Sequence, residues 1–165
     1  MIDKLTFSPL RDTDVPALQE SCWPTSSLST IEERIIEFVK AQTRKRTWPR
    51  VVRCIDEVIG FGQLLHWGQG YEIADLMITP TWRGKGVGTA LIKEFLRIAY
   101  AQDADIVEIG VAHNNPRALA LYQRLGFEPY REIQLNLGNG YEPVTYLKMN
   151  LSLQQEILFG DQEQN

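Results

Sequence analysis

The sequence contains too few cysteines to build a disulfide framework. Only Cys22 and Cys54 occur among its 165 residues, and their spacing is not that of metal ligands. Each is expected to be a small buried or half-buried side chain of a reduced protein. The two histidines, His66 and His113, are equally isolated, so we expect turn or strand-end positions for them and predict no metal site.

Long apolar segments are absent as well. No apolar run approaches the ~20 residues that cross a bilayer, and the opening residues MIDKLTFSP contain no stretch long enough for a signal peptide. Basic residues are not in excess, because 17 Lys and Arg face 21 Asp and Glu, which gives a formal net charge of −4. Nucleic acid is bound by basic surfaces, so these absences predict a cytoplasmic protein with neither a membrane nor a nucleic-acid partner.

What the sequence does contain is an alternation of strand-like and helix-like segments that fits one domain. Apolar periodicity predicts helices over 12–19, from Thr30 onwards, over 88–102 and over 116–125, and strands over 5–10, 51–55, 58–66, 71–79, 106–112 and 144–151. The predicted class is therefore mixed α/β, with a single domain over 1–151 and a polar tail over 152–165.

Local signals place several boundaries of these elements. Thr30 and Glu33 have the spacing of a capping box, which predicts the start of the second helix. Gly126 follows the last predicted helix, where a left-handed helix terminus favours a residue without Cβ. Asn139-Gly140 predicts the turn of a closing hairpin. The buried face of the second helix is expected to carry Ile31, Ile35, Ile36, Phe38 and Val39.

One loop has the features of an anion site. An apolar strand ending at Pro80 runs into Thr81-Trp-Arg-Gly-Lys-Gly-Val-Gly88, and a predicted helix follows immediately. The first N–H groups of a helix have no partner inside it, and the helix dipole adds positive charge there. Gly84, Gly86 and Gly88 let the backbone approach an oxygen closely and adopt φ > 0, while Arg83 and Lys85 add full charges. The segment is thus suited to a pyrophosphate, although a glycine-rich turn without a ligand stays open.

Two other phosphate-binding loops do not fit this segment. A Walker loop needs Ser or Thr directly after its Lys, whereas Gly86 follows Lys85. A dinucleotide-binding fingerprint needs a third glycine at the position that Leu91 occupies.

Two motifs carry a resemblance to a known family. Arg83-Gly-Lys-Gly-Val-Gly88 resembles the Arg/Gln-x-x-Gly-x-Gly/Ala motif of the GNAT (GCN5-related N-acetyltransferase) superfamily. Downstream, Asn115-Pro-Arg-Ala-Leu-Ala-Leu-Tyr-Gln-Arg-Leu-Gly-Phe127 is similar to the Asn-x-x-Ala-x-x-Leu-Tyr-x-x-x-Gly-Phe signature of the same family. The resemblance implies the acyl-CoA N-acyltransferase fold, a central mixed sheet flanked by helices in which two parallel strands, about 72–79 and 106–112, splay apart.

The resemblance also implies an activity, the transfer of an acetyl group from acetyl-CoA directly to a primary amine of a small molecule or peptide, without an acyl-enzyme. Backbone groups of Met77, Ile78 and Thr79 would pair with the pantetheine arm as an added strand would, and an amide near Ile78 would hold the developing oxyanion. Asn115 is expected to cap the helix that begins at Pro116 and to hydrogen-bond CoA. The pyrophosphate would be held by Arg83, Gly84, Lys85, Gly86, Val87, Gly88 and Thr89.

The two proton transfers are assigned by the same resemblance. Tyr122 matches the position from which a tyrosine protonates the departing thiolate. Glu72 matches a strand position where several members carry a catalytic or water-relaying glutamate, and Asp75 or a water chain without a dedicated base are the alternatives. Glu72 and Asp75 are an odd number of residues apart, so they share a face only if a β-bulge lies between them.

The acceptor is not specified by these patterns. Ribosomal-protein N-terminal acetyltransferases carry a glutamate at the position of Gly110, which makes a peptide N-terminus a less favoured acceptor. Polyamine, amino acid, aminoglycoside and lysine side chain all stay open, as does a homodimer, since dimers are common among relatives. A different class of function also stays open, namely a CoA-binding regulatory or structural module without turnover. By similarity, four aromatic residues lie in or near segments that border the acceptor side: Trp23, Trp48, Tyr71 and Tyr141. Each could hold a cationic amine by its ring face, and core packing or a dimer contact is an equally open role for each.

Overall fold

The computed structural model describes residues 4–138 and 140–153. Its strands are β1 (Leu5–Pro9), β2 (Thr47–Cys54), β3 (Glu57–Trp67), β4 (Gly70–Ile78), β5 (Ile106–Ala112), β6 (Glu128–Asn136) and β7 (Tyr141–Asn150). Its helices are α1 (Val15–Cys22), α2 (Leu28–Thr43), α3 (Val87–Ala101) and α4 (Pro116–Arg124), and single 3₁₀ turns lie at Asp12–Asp14, Pro80–Trp82 and Leu151–Leu153.

The strands form one seven-stranded sheet in the order β1-β2-β3-β4-β5-β7-β6. Its neighbouring strands are antiparallel, with the exception of β4 and β5, which are parallel. Parallel pairing covers Tyr71–Ile73 of β4 and Val107–Ile109 of β5. The mixed α/β class predicted from the sequence is therefore confirmed.

Helices cover the two faces of the sheet and divide the core. The larger cluster joins α3 and α4 to the sheet, and alternate residues of β5 (Val107, Ile109 and Val111) point into it. The smaller cluster joins α1 and α2 to the other face through Leu18, Ile31, Ile35, Val51 and Phe61. Alternation along β5 consequently leaves Glu108, Gly110 and Ala112 on the face opposite α3.

The capping prediction for the second helix was wrong by one turn. The N-cap is Ser27, whose Oγ accepts a hydrogen bond from the Thr30 N–H at 3.2 Å, so Thr30 already belongs to the helix. Both residues carry a hydroxyl that is able to cap, and the earlier one does so. Ile31 and Ile35 are buried as predicted, whereas Ile36 is 42% exposed.

Predictions at the other boundaries mostly hold. Gly126 has φ 98°, and the Phe127 N–H closes the end of α4 by donating to the Tyr122 carbonyl. Asn139 of the predicted hairpin turn, and 154–165 of the predicted tail, lie outside the described residues. Within the described ranges, the helices are too short or too polar to cross a membrane.

Candidate acetyl-CoA site

A cleft opens where β4 and β5 separate. Their pairing ends at Ile73 and Ile109, after which β4 continues beside β3 and β5 continues beside β7. The cleft encloses about 190 Å³. It is lined by Ile73, Ala74, Asp75 and Leu76 of β4, by Ile109, Gly110, Val111 and Ala112 of β5, and by Asn115 and Tyr122.

A β-bulge in β4 shapes one wall of this cleft. Phe61 pairs with Met77 but Gln63 pairs with Ala74, so β4 carries an extra residue, and Asp75 has φ 53°. The bulge that would let Glu72 and Asp75 share a face is therefore present. Asp75 accepts a hydrogen bond from Gln63 Nε2 at 2.5 Å and lies 3.6 Å from the Arg34 guanidinium of α2.

Beyond the bulge, the backbone groups of β4 point alternately toward β3 and toward the cleft. The Thr79 N–H donates to the Ile59 carbonyl and the Thr79 carbonyl accepts from Trp82, so both Thr79 groups are engaged within the protein. A Cβ on Gly60 would lie 2.8 Å from the Met77 carbonyl oxygen, which shows that this carbonyl faces β3. Because backbone direction alternates along a strand, the groups of Ile78 face the cleft. Of the three residues predicted to contact the pantetheine, Ile78 alone has this orientation.

The glycine-rich loop has the predicted positive φ at two of its three glycines, whereas Gly88 lies inside α3 and does not have it. Gly84 has φ 73° and Gly86, the N-cap of α3, has φ 83°. Left-handed values of this kind favour glycine, and they bring the first amides of α3 (Val87, Gly88 and Thr89) to the helix start without intrahelical partners. Lys85 lies over the Trp82 ring at 5.1 Å.

The side chain of Arg83 has a contact that sequence reasoning did not anticipate. Its Nε donates to the Ile78 carbonyl at 2.9 Å, which ties the loop to the end of β4. The guanidinium charge of Arg83 therefore lies beside the cleft-facing residue of β4.

Helix α4 connects the loop to the cleft. Asn115 is its N-cap as predicted, with Oδ1 accepting from the Ala118 N–H at 3.1 Å, and it also lines the cleft. Arg117, which sequence reasoning passed over, reaches the loop, since a Cβ on Gly84 would lie 3.8 Å from its guanidinium. Arg117 directly follows the Asn-Pro start of α4. Because first-turn side chains of this helix face the loop, its position in the sequence could have identified it.

Tyr122 of α4 lies on the cleft wall and is 7% exposed. Burial raises the pKa of its phenol to about 12, so the hydroxyl keeps its proton at neutral pH. Its ring centroid is 6.3 Å from that of Phe127. The structure thus brings Tyr122, Asn115 and Asp75 to one cleft.

Comparison with known proteins identifies the family. The sequence model of the acetyltransferase (GNAT) family matches residues 12–127. This chain belongs to the GNAT family. An N-acetyltransferase of Methanocaldococcus jannaschii, named as uncharacterized, is 42% identical over 57 residues, which is 34% of this chain and 25% of that protein. The thialysine N-epsilon-acetyltransferase of Bos taurus is 28% identical over 67 residues, 41% of this chain and 39% of that protein. The chain thus spans between a quarter and two fifths of these curated relatives.

Solved structures extend the likeness to nearly the whole GNAT chain. A spermidine N-acetyltransferase from Vibrio cholerae, solved in complex with CoA and spermine, superposes with a TM-score of 0.75 at 23% identity. The superposition covers 94% of this chain and 99% of that one. At this identity the likeness shows the fold, and the fold expected from the two motifs is confirmed.

Glu72, the first candidate for the general base, is not among the residues that line the cleft. It is 8% exposed and accepts a hydrogen bond from the Tyr146 hydroxyl at 3.2 Å. Burial raises the pKa of Glu72, and the hydrogen bond from Tyr146 opposes that rise. Tyr146 lies on β7 and is 74 residues away in sequence, so no local sequence pattern predicts this contact.

Two of the four aromatic residues considered for the acceptor side have the core packing that was left open for them. Trp48 and Tyr71 contact each other, with ring centroids 5.8 Å apart, and pack against the larger core at the start of β4. The open end of the cleft lies at the other end of that strand. Trp23 is placed on the side of α2, where the Arg34 guanidinium lies 5.4 Å from its ring. Tyr141 is 76% exposed at the start of β7.

Among the residues that the structure describes, no group of three or more His, Cys, Asp or Glu side chains is arranged to hold a metal ion. Cys22 is buried and Cys54 is half-buried, as expected from the sequence.

Proposed function

We propose that this protein transfers the acetyl group of acetyl-CoA directly to a primary amine. The observation that carries the proposal is the cleft between β4 and β5, with the buried phenol of Tyr122 on its wall. Helix α4 places Asn115 and Tyr122 in this cleft and Arg117 at the glycine loop. A donor with an anionic end and a thioester end would therefore fit along α4, with its anionic end at the glycine loop and its thioester in the cleft.

The residues on that path suit the two ends of the donor. Free amides at Val87, Gly88 and Thr89, together with the left-handed glycines before them, form a cradle for a pyrophosphate. Arg117 and Lys85 add positive charge beside it. Along the cleft, β4 beyond the bulge offers the pantetheine arm an edge to pair with, in the manner of an added strand. The Ile78 carbonyl is engaged by Arg83 Nε, which leaves the Ile78 N–H for the thioester carbonyl.

The chemistry requires an amine to attack the thioester carbonyl. The Ile78 amide polarises that carbonyl and stabilises the oxyanion that develops. The Tyr122 hydroxyl donates a hydrogen bond to the sulfur as negative charge builds on it. A thiol has an ordinary pKa of about 8.5, well below the value of about 12 for this phenol. Tyr122 therefore stabilises the departing thiolate by donation and remains protonated.

Glu72 is the proposed base for the proton that the amine must lose. Its raised pKa makes the carboxylate a better proton acceptor than an exposed glutamate. Since Glu72 does not line the cleft itself, the proton reaches it through water. Asp75 lines the cleft but already accepts from Gln63 and faces Arg34, which leaves it the role of orienting the amine.

The acceptor is proposed to be a small amine that carries positive charge. Asp75 and Glu108 both lie close enough to Glu72 to raise its pKa by repulsion, so three carboxylates lie near one another beside the cleft. The comparisons name a thialysine acetyltransferase and a spermidine acetyltransferase, whose named substrates are cationic amines. Both amines belong in the first acceptor panel.

Calorimetry and a thiol-release assay test the proposal. CoA is expected to bind the protein with measurable heat, and acetyl-CoA is expected to release free thiol when an acceptor from a panel of spermidine, spermine, thialysine, lysine and a tripeptide is added. Heat without thiol release for any amine would show a CoA-binding module. Absence of both would contradict the assigned site.

A further inference from the structure

Gly110 of β5 leaves room for the ring of a neighbouring strand. It pairs with Tyr146 of β7, and a Cβ built on Gly110 would lie 3.2 Å from Cζ and 3.4 Å from Cε1 of that ring. Such a Cβ would also lie 3.3 Å from Val144 Cγ1. The Tyr146 ring therefore packs against the backbone of β5, and a Cβ at position 110 would require the ring to shift by a few tenths of an ångström.

The same ring is held from its other side. The Arg131 guanidinium of β6 lies 4.7 Å from the centre of the Tyr146 ring, and its Nη2 is 3.3 Å from Glu108 Oε2. Tyr130 donates to the other oxygen of Glu108 at 2.5 Å. Tyr146 is thus confined between β5 and an anchored cation, and it is 7% exposed.

This confinement directs the phenol across β5 to β4. The Tyr146 hydroxyl reaches Glu72, which is directly paired with Glu108 in the parallel register. Two carboxylates side by side repel each other, and Glu72 is in addition largely removed from water. A donor aimed at Glu72 offsets both effects by stabilising its charged form.

We propose, building on the role of Glu72 in the proposed function, that Tyr146 is a positioning residue that fixes the Glu72 carboxylate for proton transfer, and that Gly110 is the gap that makes this contact possible. The contact spans three adjacent strands, so it depends on the sheet being assembled.

The charged and titratable groups around Glu72 define the expected direction of change. Glu108 of β5 and Asp75 of β4 raise its pKa by repulsion, while Arg131 of β6 and the Tyr146 hydroxyl of β7 lower it. Arg34 of α2 lies beside Asp75. Removing the Tyr146 hydroxyl takes away a stabiliser of the carboxylate, so the pKa of Glu72 is expected to rise further.

The test replaces Tyr146→Phe and follows two readouts. Carbon-13 NMR of glutamate carboxyl groups in the protein without donor, assigned with Glu72→Gln, is expected to show the Glu72 titration moved upward by about half a pH unit or more. The acidic limb of the pH profile of kcat/KM, measured with one and the same amine, is expected to move upward with it. Below that limb, turnover is expected to fall about threefold to tenfold and to recover at higher pH.

Two further variants separate this role from general damage to the fold. Gly110→Ala keeps the hydroxyl but pushes the ring away, so it is expected to shift Glu72 in the same direction as Tyr146→Phe. Tyr130→Phe removes another phenol that donates to a carboxylate on the same face. It acts on Glu108 and is expected to leave the Glu72 titration in place or to lower it slightly.

The outcomes distinguish this inference from the proposed function. An unchanged or lowered Glu72 titration in both Tyr146→Phe and Gly110→Ala would overturn the inference. So would a shifted titration with an unmoved kinetic limb, because Glu72 would then be held by Tyr146 without serving the reaction. Neither result would affect thiol release by the wild-type protein, which tests the proposed function separately.

Discussion

Gln63 Nε2 lies 2.5 Å from Asp75 Oδ2 and fixes the bulged residue of β4 at the wall of the cleft. The carbonyl end of the same side chain accepts from Thr47 Oγ1 at 2.8 Å. Gln63 and Thr47 are each 3% exposed. A buried relay of two hydrogen bonds therefore runs from β2 through β3 to a residue with a left-handed backbone.

Replacing Gln63→Leu is expected to destabilise the protein by about 1–3 kcal/mol, because it leaves the buried Thr47 hydroxyl unpaired and removes a donor from Asp75. Urea denaturation measures the change. Gln134→Leu, an exposed glutamine on β6, is the matched control and is expected to change the free energy of unfolding by less than about 0.5 kcal/mol. Equal effects of the two variants would contradict the relay.

Replacing Tyr122→Phe is expected to lower kcat by about 10-fold to 100-fold, since a hydrogen bond to a charged group contributes about 1.5–3 kcal/mol. The affinity for CoA, measured by calorimetry, is expected to stay within about twofold. Tyr100→Phe at the far end of α3 serves as the control. Loss of CoA binding in Tyr122→Phe would show that the phenol is needed for binding instead.

Replacing Gly84→Ala is expected to weaken CoA binding by about fivefold, because its left-handed φ of 73° disfavours any Cβ by about 1 kcal/mol. Space is not the reason, since the added Cβ would meet the Arg117 guanidinium at an ordinary 3.8 Å. Gly88→Ala is the comparison, with the same 3.8 Å contact, here to Leu121, and no left-handed backbone. If calorimetry gave the same loss for both variants, backbone conformation would not be the cause.

Stability is expected to fall at alkaline pH, partly through Cys22. Burial raises the pKa of its thiol from 9.0 to about 11, so the folded protein keeps a proton that the unfolded chain releases. The stabilisation is complete below pH 9.0 and is lost as the pH rises toward 11. Urea midpoints measured from pH 8 to pH 11 are expected to fall less steeply in Cys22→Ala. Parallel curves for the two proteins would rule out this contribution.

The parts of the site that are local in sequence were predictable. The glycines at 84 and 86 indicated a left-handed backbone, and Asn115 before Pro116 indicated a helix cap. Both features depend on a few neighbouring residues, so they can be predicted from the sequence. The cap of α2 was placed one turn late since Ser27 and Thr30 offer the same chemistry. A choice between two equivalent caps is made by packing further along the helix.

The parts that depend on distant strands were not predictable. The contact of Tyr146 with Glu72 requires the register of β4, β5 and β7 together. The sequence left open whether Trp48 and Tyr71 bind an acceptor or pack in the core, because the answer depends on how β2 and β4 are placed in the sheet. In the structure the two rings contact each other against the larger core. Glu72 and Asp75 could share a face of β4 only if a β-bulge lay between them, and the structure has such a bulge at Asp75.

The parallel pairing of β4 with β5 covers three residue pairs. This short ladder joins two antiparallel parts of the sheet, one formed by β1 to β4 and the other by β5 to β7. A donor bound between the separated ends of β4 and β5 would hydrogen-bond to the strands through its own amides and so link the two parts of the sheet. Donor binding and folding would then be coupled. The melting temperature would rise with donor concentration, because the donor binds the folded protein and not the unfolded chain.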